Sequence, residues 1–277
     1  MKNIWGVMIL INVENVSYKY KNGKQVLKNI NFSVNKGEIL AIVGKNGSGK
    51  STIGKLISGI LKLKDGKIFI DDVDVSKRKN RAQINSKIGI VFQNPDSQII
   101  FNNIKDEFSY ITQDESVIDE SLKYVDMLEY KNNDLYYLSL GQKQRIMIAE
   151  VLAKRPQYII FDEPTTMIDS MGKEKIYEII KKLKTEGYTI ICITNLADEI
   201  MLADKTIILN DGTIVDQIEK SELIEKSNLF QKYGIKIPTL LEILTKLKNN
   251  GMELNIGENI TIDSLVKELS IKLKRRI

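Results

Sequence analysis

Gly44-Lys45-Asn46-Gly47-Ser48-Gly49-Lys50-Ser51, continued by Thr52, is the stretch whose reading decides the fold. It fits G-x-x-x-x-G-K-[ST], a phosphate-binding loop, with Gly44, Gly49, Lys50 and Ser51 at the fixed positions. Ordinary residue usage produces those four positions by accident in a chain of this length only about 1% of the time. The setting narrows the reading further. Glu38 to Val43 is a short apolar run suited to a buried strand, and Ser51 to Ile57 can open a helix. Strand, glycine-rich turn and helix N-terminus together present backbone N–H groups and partial positive charge to an anion. Residues 44–52 are therefore expected to cradle a nucleoside triphosphate, with Lys50 on the terminal phosphates and the Ser51 hydroxyl on Mg²⁺. An incidental lysine in a glycine turn would explain the loop but not its flanks.

A second element lies downstream. The apolar run Tyr158-Ile159-Ile160-Phe161 ends in Asp162-Glu163. On an exposed helix two adjacent carboxylates would be an ordinary charged pair. At the end of a buried strand, Asp162 is expected to hold Mg²⁺, directly or through water, since hard cations prefer carboxylate oxygen. Glu163 is then placed to polarise an attacking water.

Three further segments are Val91 to Gln98 (VFQNPDSQ), Leu138 to Arg145 (LSLGQKQR) and Asp162 to Asp169 (DEPTTMID). In order with the phosphate loop, they resemble the Walker A, Q-loop, signature, Walker B and D-loop elements of ABC transporter nucleotide-binding subunits. The resemblance covers roughly residues 10 to 220. It implies an α/β P-loop NTPase with a mostly parallel core sheet, an antiparallel β subdomain and an inserted helical subdomain. It implies ATP and Mg²⁺ as ligands, and it adds roles. Gln93 would sense Mg²⁺ and the attacking water. Tyr20 would stack on adenine, with Tyr18, two positions earlier on the same strand face, as the alternative. Ser139, Gly141 and Gln142 would close over the γ-phosphate held by another subunit, and Asp169 of the D-loop joins the nucleotide-contacting set.

The run Gln93-Asn94-Pro95-Asp96-Ser97-Gln98 resembles that of energy-coupling-factor ATPases, which drive uptake of vitamins or of cobalt and nickel ions. That resemblance implies a second ATPase subunit, a membrane coupling protein and a substrate-capturing membrane subunit, at the cytoplasmic face of the cell membrane. Other ABC transporters remain the alternative. A soluble ABC ATPase acting on ribosomes or DNA would carry two cassettes or long coiled-coil insertions, and neither is present in the sequence.

Two positions depart from the family pattern. The chain has no histidine, and Ile193-Thr194-Asn195 stands where the family places its switch histidine. Asparagine can donate an amide hydrogen but carries no charge. Leu140 occupies the place of the signature's first glycine. In a head-to-tail pair Asn195 weakens the site on this chain's own loop, while Leu140 touches the partner's. A homodimer would carry both changes in both sites, so the expectation is a heterodimer. A hydrolysis-impaired clamp is the rival reading.

Composition sets the remaining bounds. The 277 residues suffice for one large α/β domain at 9–220 (helical subdomain about 97–140) and a small C-terminal domain of helices at 221–277, where Leu229 to Lys248 has apolar residues at helical spacing interrupted by Pro238. A net charge of +5, spread along the chain, is no nucleic-acid footprint. The lone Cys192, within an apolar run, is expected in the core and excludes a disulfide framework. Lys2 and the apolar residues after it look faintly like a signal segment without a cleavage site, and translation from Met8 would remove them. The basic end Lys272 to Arg276 reads as a solvated tail with membrane-surface contact as the alternative.

Overall fold

The computed structural model describes residues 9–21, 23–252, 254 and 260–274. The Met8 start, Asn22 of the first turn and the terminal Arg275 and Arg276 lie outside them. The chain opens with the long strands β1 (Ile9–Lys19) and β2 (Gln25–Asn35), which pair antiparallel, then β3 (Ile39–Val43). The phosphate loop leads into α1 (Lys50–Ile57). β4 (Asp65–Ile70) and the short β5 (Val73–Asp74) complete a four-stranded antiparallel sheet in the order β2-β1-β4-β5.

Then follow α2 (Arg81–Lys87), β6 (Ile88–Val91), α3 (Ile104–Ser109), α4 (Glu115–Tyr124) and α5 (Leu140–Ala153). β7 (Tyr158–Asp162), α6 (Ser170–Thr185), β8 (Thr189–Thr194), α7 (Ala197–Leu202) and β9 (Lys205–Asn210) alternate as βα units. β10 (Thr213–Glu219) returns from β9 through the Asp211-Gly212 turn, where both residues have positive φ as a tight hairpin requires. The second sheet runs β10-β9-β3-β8-β7-β6, parallel throughout except at its β9-β10 edge.

The parallel strands read as unbroken apolar runs because both faces are covered. Every residue of β3, β7 and β8 is buried. Alternation assigns each side chain to one of two cores. Leu40, Ile42, Ile160, Ile191 and Ile193 pack towards α1 and the antiparallel sheet. Ile39, Ala41, Val43, Ile159, Phe161 and Cys192 pack towards α5, α6 and the inserted helices. Each buried isoleucine contributes about 1.5–3 kcal/mol, which fixes the strand order and hence the position of every strand end. Cys192 is fully buried, and burial pushes its thiol well up.

The insertion between β6 and β7 is helical, as its glycine-free apolar spacing predicts, with Ile104, Phe108, Ile118, Leu122 and Leu135 turned inward. After β10 the sequence periodicity resolves into α8 (Ser227–Lys232) and α9 (Thr239–Asn249), with Pro238 at the N-cap of the second. α10 (Ile262–Lys274) follows. Phe230, Leu241, Leu244 and Leu265 of these helices share the larger core with the parallel sheet.

Candidate nucleotide site

The carboxyl ends of β3, β7 and β8 open onto one crevice, the general place for ligands in such sheets. β3 delivers Gly44 to Gly49, and α1 begins at Lys50. A Cβ at Gly44 would stand 2.1 Å from the Leu209 carbonyl oxygen, so β9 and the loop approach as only glycine permits. The hairpin tip buttresses the loop from the same side, where the Gly212 N–H donates to the Ser48 carbonyl at 3.1 Å. Lys50 is buried. Its ammonium donates to the Gly44 carbonyl at 2.8 Å and the Lys45 carbonyl at 3.2 Å. Burial pushes the Lys50 ammonium down, against the opposing pull of Glu163 and Asp162.

β7 brings the acidic pair. The Ser51 hydroxyl donates to Asp162 Oδ1 at 2.8 Å, and Glu163 Oε1 lies 3.8 Å from the Lys50 ammonium. Burial raises the Asp162 carboxyl, with the Ser51 bond opposing it. Glu163 has φ of 52°, a left-handed conformation that costs a glutamate about 1–3 kcal/mol. Its N–H donates to the Ile193 carbonyl at 2.8 Å, so β8 holds it there. β8 also carries Asn195, whose amide donates to Asn46 Oδ1 at 2.6 Å and to Glu163 Oε1 at 3.5 Å. The residue in the switch position thus spans the phosphate loop and the acidic pair.

The donor set fits a divalent cation bound together with nucleotide. Ser51 and Asp162 already place two hard oxygens side by side, and the buried Ser48 hydroxyl oxygen has no hydrogen-bond partner. Among the described residues no group of three acidic, His or Cys side chains could hold a metal unaided. Magnesium is typically bound this way, with one or two protein oxygens and the rest from phosphate and water.

Tyr20 stands just beyond β1, and its hydroxyl shares a 3.1 Å hydrogen bond with Thr52 at the start of α1. Tyr18 packs edge-on against it at 5.0 Å between ring centres, so both candidate aromatics are on the phosphate-loop side. Gln93 follows β6 but makes no hydrogen bond among the described residues. Side chains that sequence reasoning overlooked fix its loop. Buried Gln144 of α5 donates to the Phe92 carbonyl at 2.9 Å, and Lys143 pairs with Asp96 at 2.8 Å. Gln98 accepts the Phe92 N–H at 2.9 Å. A glutamine on the largely apolar buried side of α5 was the available signal.

The signature stands apart from this cluster. Ser139 caps α5 in a reciprocal box with Gln142: each side chain bonds the other's backbone N–H, at 3.3 and 2.9 Å. The helix starts at Leu140, directly after the capping serine. No described hydrogen bond or ion pair joins Ser139, Gly141 or Gln142 to residues 44–52. Asp169 caps α6 by accepting the Gly172 N–H at 2.8 Å. The starts of α5 and α6 touch there, since a Cβ on Gly141 would come 3.2 Å from Ile168 and 3.6 Å from Gly172. Signature and D-loop therefore form one unit, with Ser139 and Asp169 at its exposed surface.

Residues 27–166 match the ABC transporter family. The chain is 37% identical over 274 residues to the energy-coupling factor transporter ATP-binding protein EcfA1 of Clostridium novyi (strain NT), covering 94% of this chain and 97% of that protein. The structure of CbiO1 from Clostridium perfringens, described as part of the cbiONQ ABC transporter complex, superposes with a TM-score of 0.73 at 31% identity. It covers 85% of this chain and 98% of its own. The dimeric post-hydrolysis structure of the cassette MJ0796, bound to ADP and Pi, gives a TM-score of 0.69 at 29% identity, over 76% of this chain and 98% of that one. With phosphate loop, acidic pair and capped signature set on this sheet order, these likenesses leave one assignment: the chain belongs to the ABC transporter family, as an ATP-binding subunit of the energy-coupling-factor type.

Proposed function

We propose that this chain is one half of an asymmetric ATPase pair that drives an energy-coupling-factor importer from the membrane surface. It binds and hydrolyses ATP in the service of transport. The observation that supports pairing is the split between its two nucleotide elements: Lys50, Asp162, Glu163 and Asn195 converge, while among the described residues no side-chain hydrogen bond or ion pair joins Ser139 to Gln142 to that cluster.

The phosphates of ATP lie along residues 44–52, with Tyr20 against the base. Lys50 exchanges its loop carbonyls for phosphate oxygens, trading neutral acceptors for charged ones. Glu163 orients and polarises the attacking water, and Asn195 donates an amide hydrogen towards the γ-phosphate. Ser51 and Asp162, with Gln93, would hold Mg²⁺, which when bound would supply positive charge to the phosphates. The α5 N-terminus of a second subunit supplies Ser139-type hydroxyl and helix-dipole contacts to the same phosphate. Closure and release of that clamp move a membrane coupling protein, which meets the chain near the segment after Gln93, and a substrate-capturing subunit for vitamins or metal ions. Among the described residues no helix is long and apolar enough to cross a membrane, in keeping with a peripheral subunit.

Asn195 and Leu140 favour two unlike subunits, because each change falls on a different composite site. Steady-state ATPase of this chain alone, set against the co-expressed pair, tests the asymmetry. Higher turnover per ATP site is expected in the pair, and equal specific activity overturns the heterodimer.

A further inference from the structure

Behind the acidic pair lies a polar cluster that the nucleotide chemistry leaves unused. Glu199, the third residue of α7, is completely buried, although a leucine there would pack without desolvating a carboxyl. Its Oε1 accepts the Thr165 hydroxyl at 2.5 Å. Thr194 Oγ1 accepts the Leu196 N–H at 2.8 Å, and the Tyr177 hydroxyl lies 3.5 Å from Thr165 Oγ1. Thr165 is two residues beyond Glu163, and Thr194 immediately precedes Asn195. Glu199 itself lies four residues past Asn195, so its bond to Thr165 ties together the two loops that carry the reacting groups. Its second oxygen, Oε2, has no partner. Burial pushes the carboxyl up, the Thr165 and Thr194 hydroxyls oppose this, and the Glu163 charge adds to the rise, which suits a proton resting on the unpartnered oxygen.

We infer that Glu199 is a positioning residue for ATP hydrolysis, holding the Glu163 loop and the Asn195 loop in one register from beneath. The inference rests on the reading of Glu163 as the group that polarises water. Glu163 and Asn195 stand 3.5 Å apart, and a displacement of about 1 Å in such an arrangement costs about 10²-fold in rate.

The test is kcat and KM for ATP in the assembled transporter, with partner ATPase and membrane subunits. Glu199→Ala is expected to lower kcat by about tenfold or more while KM stays within about twofold, the pattern of lost transition-state alignment. Glu199→Gln, which keeps an acceptor oxygen for Thr165 and a donor in place of the acid proton, is expected to retain at least about a third of the parent rate. Thr165→Val should match Glu199→Ala, and the double variant should be no worse than either, because both remove one bond. Should Glu199→Ala fail to fold, Thr165→Val carries the test. An unchanged kcat in Thr165→Val or Glu199→Ala, additive losses, or a Gln variant as damaged as Ala would overturn the inference. Glu163→Gln is measured in parallel: full activity there sinks the reading of Glu163, whereas its inactivity beside a normal Glu199→Ala sinks only the role of Glu199.

Discussion

The phosphate loop and the signature stand on one α/β body, yet they are built on opposite terms. Around the loop, Ser48, Lys50, Thr52 and Asp162 are all buried, and Glu163 is kept in a left-handed conformation by its bond to β8. In the signature, Ser139 is exposed and engaged only with its own helix, and it follows an edge-on pair of tyrosines, Tyr136 and Tyr137, that are 84% and 79% exposed. Burial lets a site be organised before its ligand arrives, because neighbouring strands absorb the strain. An element lent to another molecule must be stable in water alone, and a capping box does that at little cost. The difference teaches which half of the chemistry the chain completes by itself.

The largest test of that division is Glu163→Gln. In the assembled pair, turnover at this chain's site should fall by about 10²- to 10⁴-fold, measured by single-turnover hydrolysis, while ATP-driven association persists. Next is Asn195→His. A switch side chain able to carry charge should raise the same turnover by about tenfold to 10²-fold, and no gain would show that the amide already suffices. Ser139→Ala acts on the other half. Losing its cap should cost about 1 kcal/mol, a shift of about 2–4 °C in Tm by calorimetry. It should lower hydrolysis at the partner's site but leave this chain's nucleotide affinity intact, so a weakened affinity would erase the contrast.

The smallest expected effect concerns the body of the signature helix. Glu150 of α5 is buried, and burial, with Glu107 nearby, pushes its carboxyl from the ordinary 4.5 to about 9. Between those values the folded chain holds a proton that the unfolded chain releases, so stability falls as pH rises across that window. Glu150→Gln should flatten the slope. By thermal unfolding the variant should exceed the parent by about 3 °C or more at pH 8 and differ little at pH 4.5, whereas parallel pH profiles would contradict the shift.

Much of this was legible because it is local. Strand, loop and helix around Gly44 to Thr52 follow from apolar runs and glycines, and the Asp162-Glu163 pair from its place at a strand end. The Asp211-Gly212 hairpin and the break at Pro238 follow from single residues. What was not legible depends on residues far apart in the chain. Gln144 meets Phe92 across 52 positions, Gly141 packs on Gly172, and Glu199 binds Thr165 from 34 positions away. No periodic or motif signal announces any of these pairings. Each shows as a polar or very small residue on a helix face that otherwise packs, which marks an exception without naming its partner.

The central claim is a nucleotide held between the Lys50 loop of one subunit and the signature of another. Its most direct measurement is the association of the hydrolysis-blocked Glu163→Gln chain with its partner ATPase, by sedimentation with and without ATP and Mg²⁺. ATP is expected to tighten the pair by at least about tenfold, and Ser139→Ala on this chain to weaken the gain. An association constant indifferent to ATP would contradict the claim.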